Sequence, residues 1–512
     1  MPQDYALMNP IARLLNKEPS AFTRADLLNI IEEKEIERIT FHYTAIDGKL
    51  KELKLPIASR FQAERILADG ERVDGSSLFK GLIDVALSDL YVVPVYKSAF
   101  LNPFDPHSLD FICRYMTREG ELAPFALDTV LNKAHGLFKK NTGLELWALG
   151  ELEFFLIKKS ETELYPNLKQ MGYHASAPFI KSGDILNEIV HHITQLTGAV
   201  KYAHSEVGYV DHVRSNLSEI KDKQAEQLEV EFLPCPIDEA GDFLVLSRWL
   251  IRNIAYRYGY MATFAPKIEE GVAGNGFHIH VGLMKDGRNC MTGDSGGLTA
   301  EAKKMIGGLC SYADSLTAFG NTVSAAYLRL VPNQEAPTRI CWSDQNRSAM
   351  IRVPLGWSRI DNLAKRLNPQ QSAVFEDFEG RQTVELRSPD GSAIVHLLLA
   401  GITMAAEYGL ASDDALQLAE KLYVTGNIFK NEELMRKLPI LPNSCVASAR
   451  ILVEKRALYE RDDVFPPSII DYVGKLLLAE QDEFINQILA DLPADDRLHK
   501  TREIMHKDLH RH

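Results

Sequence analysis

Four short segments place polar side chains two residues apart inside apolar runs. In GELEFFLI, Glu151 and Glu153 alternate with Leu152 and Phe154, and in QLEVEF, Glu229 and Glu231 alternate with Val230 and Phe232. GNGFHIHVGL carries His278 and His280, and TVELRSPD sets Thr383, Glu385 and Arg387 against Val384 and Leu386. Successive side chains of a strand point to opposite faces, so each segment, read as a strand, offers its polar residues to one surface. One such strand is ordinarily the wet face of an antiparallel sheet; four of them can supply ligands to a common site. Carboxylates with an imidazole suit Mg²⁺ or Mn²⁺, hard ions that prefer oxygen, and the lack of cysteine in the set disfavours structural zinc. RLVPNQEAP adds Arg329 and Glu335, NRSAMIRVP adds Arg347 and Arg352, and Arg387 stands in the last segment. A guanidinium is always charged and forks onto carboxylate or phosphate, so metals with several arginines fit phosphoryl transfer to or from an acidic substrate.

The elements that would position these residues belong to a large α+β chain. Its 512 residues, 46% hydrophobic, allow a sizeable core and a smaller companion domain. The net charge of -13 argues against general nucleic-acid binding. Six cysteines without CxxC spacing, and no secretory signal, point to a reducing, cytoplasmic setting. The most apolar long segment, Ile394 to Ala406, contains His396 and stops at Glu407; it is too short for a bilayer span and reads as a buried helix, so no membrane partner is expected. Alternation around DGK between Ile36 and Lys54 predicts a hairpin, and a helical period beginning after Pro124 suggests a boundary there. The expected division is a domain over residues 1–123 and a catalytic domain with a helical C-terminal region over 124–512. Residues 207–227 read as an insertion ending in a helix. Ile470, Val473, Leu477, Phe484 and Ile488 fall at helical spacing, predicting one docked helix from Pro467 to Leu489. The basic, His-rich tail KTREIMHKDLHRH reads as a frayed end.

In this order, VDGSSLFKG, GELEFFLI, GNGFHIHVGL, RLVPNQEAP, NRSAMIRVP and VELRSPD closely resemble the signature segments of the glutamine synthetase family, type I or a related branch. The resemblance runs from about Ile36 to Leu441. It implies an N-terminal β-grasp domain, a catalytic domain on a curved antiparallel sheet, and homo-oligomeric stacked rings, commonly dodecamers, with active sites between adjacent subunits. It implies a ligase that uses ATP and two or more Mg²⁺ or Mn²⁺ ions to join L-glutamate and ammonium through a γ-glutamyl phosphate. Glu153, Glu206 and Glu229 resemble the ligands of one metal, and Glu151, His278 and Glu385 those of the second. Arg329, Arg387 and Gly274 resemble the glutamate-holding residues, and Arg347 and Arg352 those that neutralise the phosphoryl group, with His280 and Ser77 at the nucleotide and phosphate side. Asp74 resembles the carboxylate that binds ammonium and takes its proton, Tyr173 its neighbour, and Glu335 the flap residue that closes over the intermediate.

The chain departs from the family pattern around the nucleotide: Thr383 stands where an arginine is usual, Gly282 where a serine is usual and Lys201 where a glutamate is usual, and the segment 356–380 is longer. Ala273, Asn333 and Gln334 differ beside the amine and glutamate pockets. Tyr423 lies where some type I enzymes carry a regulatory tyrosine, but its surroundings do not match. Two alternatives stay open: a γ-glutamyl ligase for another amine or a polyamine, and a ring that has lost catalysis.

Overall fold

The computed structural model describes residues 5–84, 88–159, 164–331, 336–356, 362–375 and 380–511. Six strands build the first sheet: β1 (Arg38–Thr44), β2 (Leu50–Pro56), β3 (Glu71–Asp74), β4 (Asp89–Pro94), β5 (Phe100–Leu101) and β6 (Ser108–Met116). The expected hairpin is β1 and β2, antiparallel from Arg38↔Pro56 to Thr44↔Leu50. β1 also pairs in parallel with β6, giving the order β2-β1-β6-β4-β3, with β5 on β6. This is the β-grasp portion of the chain.

Ten strands form the second sheet: β7 (Glu145–Lys158), β8 (Val200–Val210), β9 (Gln224–Phe232), β10 (Cys235–Pro236), β11 (Met261–Thr263), β12 (Phe277–Lys285), β13 (Arg288–Asn289), β14 (Trp342–Asp344), β15 (Ile351–Val353) and β16 (Val384–Leu386). Its main path is β14-β15-β16-β12-β7-β9-β8, antiparallel except for β14 with β15. The sheet curls into a half-barrel. Helix Ile237–Arg257 covers β7, and Val395–Ala411 packs between Leu127–Thr142 and Ala300–Gly320. Val395–Ala411 is buried over nearly its whole length, as its sequence predicts, and His396 inside it reaches Asp242 at 3.3 Å. Among the described residues no single helix is long and apolar enough to cross a membrane.

Three local expectations are corrected. Residues 211–223 hold turns and no helix, and Gln224 opens β9. The Gln, Ala and Glu of this stretch favour a helix intrinsically, but pairing with β7 on one side and β8 on the other overrides propensity. The single helix expected over Pro467–Leu489 is two, Pro467–Leu478 and Ile485–Asp491, and Phe484 and Ile488 are exposed. The break is fixed by Asp482, whose carboxylate accepts from the amides of Cys445 and Val446 at 2.9 and 3.1 Å, capping another helix. Finally, the tail is not frayed. Ala494–His506 is helical, Ile504, Met505, His506 and Leu509 are buried, and its cations pair with Glu269 and Glu480.

The two helices Ala300–Gly320 and Val395–Ala411 touch backbone to backbone. A Cβ on Gly308 would lie 2.1 Å from the Ala405 carbonyl oxygen, so only glycine permits this approach. Gly308→Ala is expected to destabilise the protein by about 1–3 kcal/mol, the usual cost of overpacking a core, read as a lowered urea midpoint; an unchanged midpoint would show that the helices can separate without loss.

Candidate active site

Cross-strand register gathers the polar residues that each strand keeps on one face. Glu153 faces Glu229 and Glu151 faces Glu231 across β7 and β9. On the other side of β7, Glu151 faces His278, and one strand further His280 faces Glu385. Arg352 on β15 faces Glu385 in turn, and His204 on β8 faces Glu229. A polar stripe therefore runs across six strands, and opposite side chains in such pairs lie close enough to interact.

The stripe floors a cavity of about 630 Å³. Glu151, Glu153, Glu206, Glu229, His278, Arg329, Arg347, Arg387, Gly274 and Tyr173 all line it. Ligand atoms of Glu151, His278 and Glu385 lie within 4.8 Å of one another, as do those of His204, Glu206 and Glu229, and of Glu151, Glu229 and Glu231. The first triad is the second-metal set inferred from the sequence. The group His204, Glu206 and Glu229 shares two members with the other inferred set; its third, Glu153, lines the same cavity, with its Oε2 accepting from the Gly276 amide at 2.8 Å and from Gln227 Nε2 at 3.1 Å.

Behind this floor sits a second layer. Glu385 is 1% exposed and bridges two guanidinium groups, accepting from Arg352 at 2.7 Å and Arg387 at 2.6 Å. Arg352 and His280 consequently do not line the cavity; His280 Nε2 lies 2.9 Å from Glu151 and its Nδ1 lies 3.0 Å from Thr383 Oγ1. Lys201, another departure from the family pattern, pairs with Glu231 at 2.6 Å. Arg329 donates to the Ser388 carbonyl at 3.1 Å. Arg347 makes no hydrogen bond or ion pair with another described residue and stands at the cavity wall.

Several expected residues are elsewhere. Asp74 and Ser77 lie on the β-grasp portion and do not reach this cavity; Asp74 caps the short helix after β3, accepting from Ser77 Oγ at 2.6 Å and from the Ser76 amide at 2.9 Å. Those hydrogen bonds, Ser77 first, hold its carboxyl down at about 2. Within one chain Asp74 ends a strand of the other sheet and Ser77 lies in the short helix that follows it, a separation that a linear motif does not reveal. Glu335, Asn333 and Gln334 lie outside the described residues. Sequence reasoning placed Glu231 on the shared face but gave it no role, and it missed His204, Gln227 and Lys267. His204 and Glu231 carried the same two-residue alternation as their neighbours; Lys267, a buried cation on the loop after β11, gave no such signal.

The electrostatics are lopsided. Burial acts to raise the Glu151 carboxyl, but hydrogen bonds from His278 and His280 outweigh it and hold Glu151 well below the usual range. Correspondingly, His280 is raised despite its burial, by the bond to Glu151. Glu385 is lowered, the Arg387 charge overcoming desolvation. Glu153, in contrast, is pushed up to about 8 by burial and by the Glu206 charge, and Glu229 is raised well above its ordinary value by burial and by Glu151. Carboxylates whose ionisation is so disfavoured, converging with imidazole nitrogen, fit a hard divalent cation, whose charge would offset their repulsion.

Comparison with known proteins gives the family. Residues 129–490 match the glutamine synthetase catalytic domain and residues 35–118 its β-grasp domain. The chain belongs to the glutamine synthetase family. Relatives named glutamine synthetase include one from Pyrococcus horikoshii, 29% identical over 91% of this chain and 94% of its own length. Another, from Pyrococcus abyssi, is 30% identical over 78% of this chain and 81% of its own length. Among solved structures, the Plasmodium falciparum glutamine synthetase superposes with a TM-score of 0.71 at 20% identity, covering 93% of this chain and 98% of that one. Ligand-free GmaS gives 0.68 at 21% identity, covering 92% and 98%. Both share the fold.

Two outcomes follow for the family site in this chain. A Cβ on Gly276 would lie 2.7 Å from His278 Nε2 and 2.9 Å from Glu153 Oε1. Gly276→Ala should therefore weaken Mn²⁺ binding by about tenfold or more, the scale set by disturbing a ligand's support, and calorimetric affinity equal to that of the unmodified protein would refute the crowding. The second concerns pH. Because Glu153 sits at about 8 when folded against the ordinary 4.5 of a glutamate, the metal-free protein should lose stability as pH rises across that window, since the unfolded chain ionises this group at no such cost. Thermal midpoints between pH 5 and 8.5 should fall without Mg²⁺ and hold nearly level with it.

Proposed function

We propose that this member of the family is an ATP-dependent carbon–nitrogen ligase that joins L-glutamate to ammonia through a γ-glutamyl phosphate. The observation that carries the reading is one cavity lined by Arg329, Arg347 and Arg387 and floored by Glu151, His278, Glu206 and Glu229, which Glu385 and His204 complete as two carboxylate–imidazole triads. A carboxylate is a poor acyl donor and needs activation. Divalent cations bound at the triads would neutralise charge on the transferring phosphoryl oxygens and orient the ATP phosphates. The chain's own groups do the rest in this reading. Arg329, Arg387 and the Gly274 loop hold the carboxylates of glutamate. Arg347, uncommitted to any partner among the described residues, turns toward the equatorial phosphoryl oxygens. Arg352 and His280 act from behind, fixing Glu385 and Glu151 as ligands. Glu335 covers the acyl phosphate and excludes water.

Asp74 enters as the ammonium-binding carboxylate of a neighbouring subunit. Support comes from its place on the exposed β-grasp surface together with the oligomeric assembly that the family suggests. Its low pKa keeps it ionised, as attraction of ammonium requires. Stacked rings then follow as a requirement of a complete site, and ATP and divalent metals as the cosubstrate and cofactor the family uses.

A second reading has a larger amine as acceptor. Tyr173 is 50% exposed at the cavity wall and stacks on His174 at 4.2 Å, an aromatic rim of the kind that attracts organic ammonium groups.

One assay separates these readings: phosphate release from ATP with glutamate and Mg²⁺, run with ammonium, with a panel of amines and with no amine. Ammonium-dependent release is expected, falling on the order of 100-fold or more in Glu385→Ala and in Arg347→Ala. Preference for a larger amine would select the second reading, and no glutamate-dependent turnover with any amine by the intact assembly would overturn both in favour of a ring without catalysis.

A further inference from the structure

A second cavity, of about 260 Å³, opens between the β1–β2 turn, helix Ile237–Arg257 and the C-terminal tail. Gly48, Lys49, Arg248, Trp249, Arg252 and His510 line it, and it shares no residue with the cavity over the triads. Arg248 is only 4% exposed. Its Nη1 donates to the Ala393 carbonyl at 3.2 Å, while its Nε and Nη2, and the Nη2 of Arg252, have no hydrogen-bond partner among the described residues. The Arg248 guanidinium lies over the Phe277 ring at 4.9 Å and that of Arg252 over Phe264 at 4.8 Å. Rings of this kind hold a guanidinium in place without neutralising it.

Charge balance is missing as well. Among the described residues none of Lys49, Arg248 and Arg252 forms an ion pair with a carboxylate. Asp390, the acid that Arg248 senses, is already engaged by Asn321 at 2.7 Å and by the Ser392 amide at 2.8 Å. Lys49 donates its ammonium to the His510 carbonyl. Burial lowers both guanidinium pKa values, Arg252 adding to the effect on Arg248, yet such groups stay charged at neutral pH. Three cations converging in a partly closed space, with unmet donors, need an anion that can accept several hydrogen bonds at once.

We propose that this cavity is a binding site for a small multivalent oxyanion, a phosphate or a dicarboxylate, held by Arg248, Arg252 and Lys49 with Trp249 as a neighbouring wall. The volume lies below the about 300–1,000 Å³ typical of sites for larger ligands, so the ligand is small. Both oxyanions share the planar, two-oxygen edge that an arginine fork matches. The site is independent of the ligase reading, since its residues belong to the reverse side of the sheet: Phe277, beneath Arg248, precedes His278 and points to the opposite face.

Trp249 provides the readout. The full-length assembled protein, free of divalent metal, is titrated with inorganic phosphate, with malonate and with chloride at constant ionic strength while tryptophan fluorescence is followed. A saturable change with phosphate or malonate but not chloride is expected, and whichever binds more tightly identifies the source. Arg252→Gln should raise the apparent Kd at least about tenfold, the scale of one charge-assisted bond. Trp249→Phe should lose the signal yet retain one calorimetric site per chain, and Arg347→Ala in the other cavity should bind normally. Should Arg252→Gln fail to fold, Lys49→Gln on the hairpin turn must show the same weakening. The proposal is overturned by the absence of saturable binding of either anion, by equal affinity in Arg252→Gln and Lys49→Gln, by loss of binding in Arg347→Ala, or by binding that appears only after the assembly dissociates.

Discussion

Glutamates brought together on one face of a single sheet repel one another, and the structure around the cavity is an answer to that repulsion. Glu151, Glu153, Glu229 and Glu231 come from two paired strands, and Glu206 and Glu385 join them from β8 and β16. Some of this charge is matched from within. His278 and His280 hold Glu151, Lys201 holds Glu231, and Arg352 and Arg387 hold Glu385. The rest is left: Glu153 and Glu229 have their ionisation opposed by burial and by neighbouring carboxylates. Such a deficit in a cavity favours cations, and Arg329, Arg347 and Arg387 in the same lining add positive charge beside it.

This arrangement needs a rigid base. Long antiparallel pairings fix which carboxylates meet, because a slip of one residue would send every ligand to the other face. The helices behind contribute stiffness by close contact, Gly308 and Gly409 allowing backbones to touch. The tail adds a brace from an unexpected direction. His506 Nε2 lies 2.7 Å from the Ile268 carbonyl oxygen, Arg502 pairs with Glu269, and Thr263 Oγ1 donates to the Leu509 carbonyl at 2.9 Å. All three hold the segment that continues through Lys267, Ala273 and Gly274 into the cavity wall. The C-terminal helix therefore supports a loop that lines the cavity, although more than two hundred residues separate them in sequence.

Sequence and structure divide the work in a physically intelligible way. Alternation within a strand is local, so the residues that share a face with Glu151, Glu229, His278 and Glu385 were legible from spacing alone. Helical burial of Val395–Ala411 was legible for the same reason, as was the β1–β2 hairpin. Motif order carried the family, because six segments in one fixed order are a far more specific signal than any one of them. What spacing leaves open is which strands become neighbours. That choice placed His204 opposite Glu229, turned Glu153 toward Gly276, and committed Arg352 to Glu385.

The tertiary structure also decided matters that local preference pointed away from. Residues after Asp222 have helix-favouring side chains and form a central strand, because two neighbouring strands offer hydrogen bonds on both edges. The tail's basic character suggests solvent, yet its cations find Glu269 and Glu480 and its apolar side chains find a surface to cover. Asp74 and Ser77 sit at the end of a strand of the other sheet and in the helix after it, away from the cavity, so their part in any site depends on how chains assemble. The sequence by itself determined the chemistry of each strand face and the family to which the chain belongs. Only the tertiary structure determined which faces meet and which charges remain unmatched, because those depend on pairings between residues far apart in the chain, whose free energy no local pattern contains.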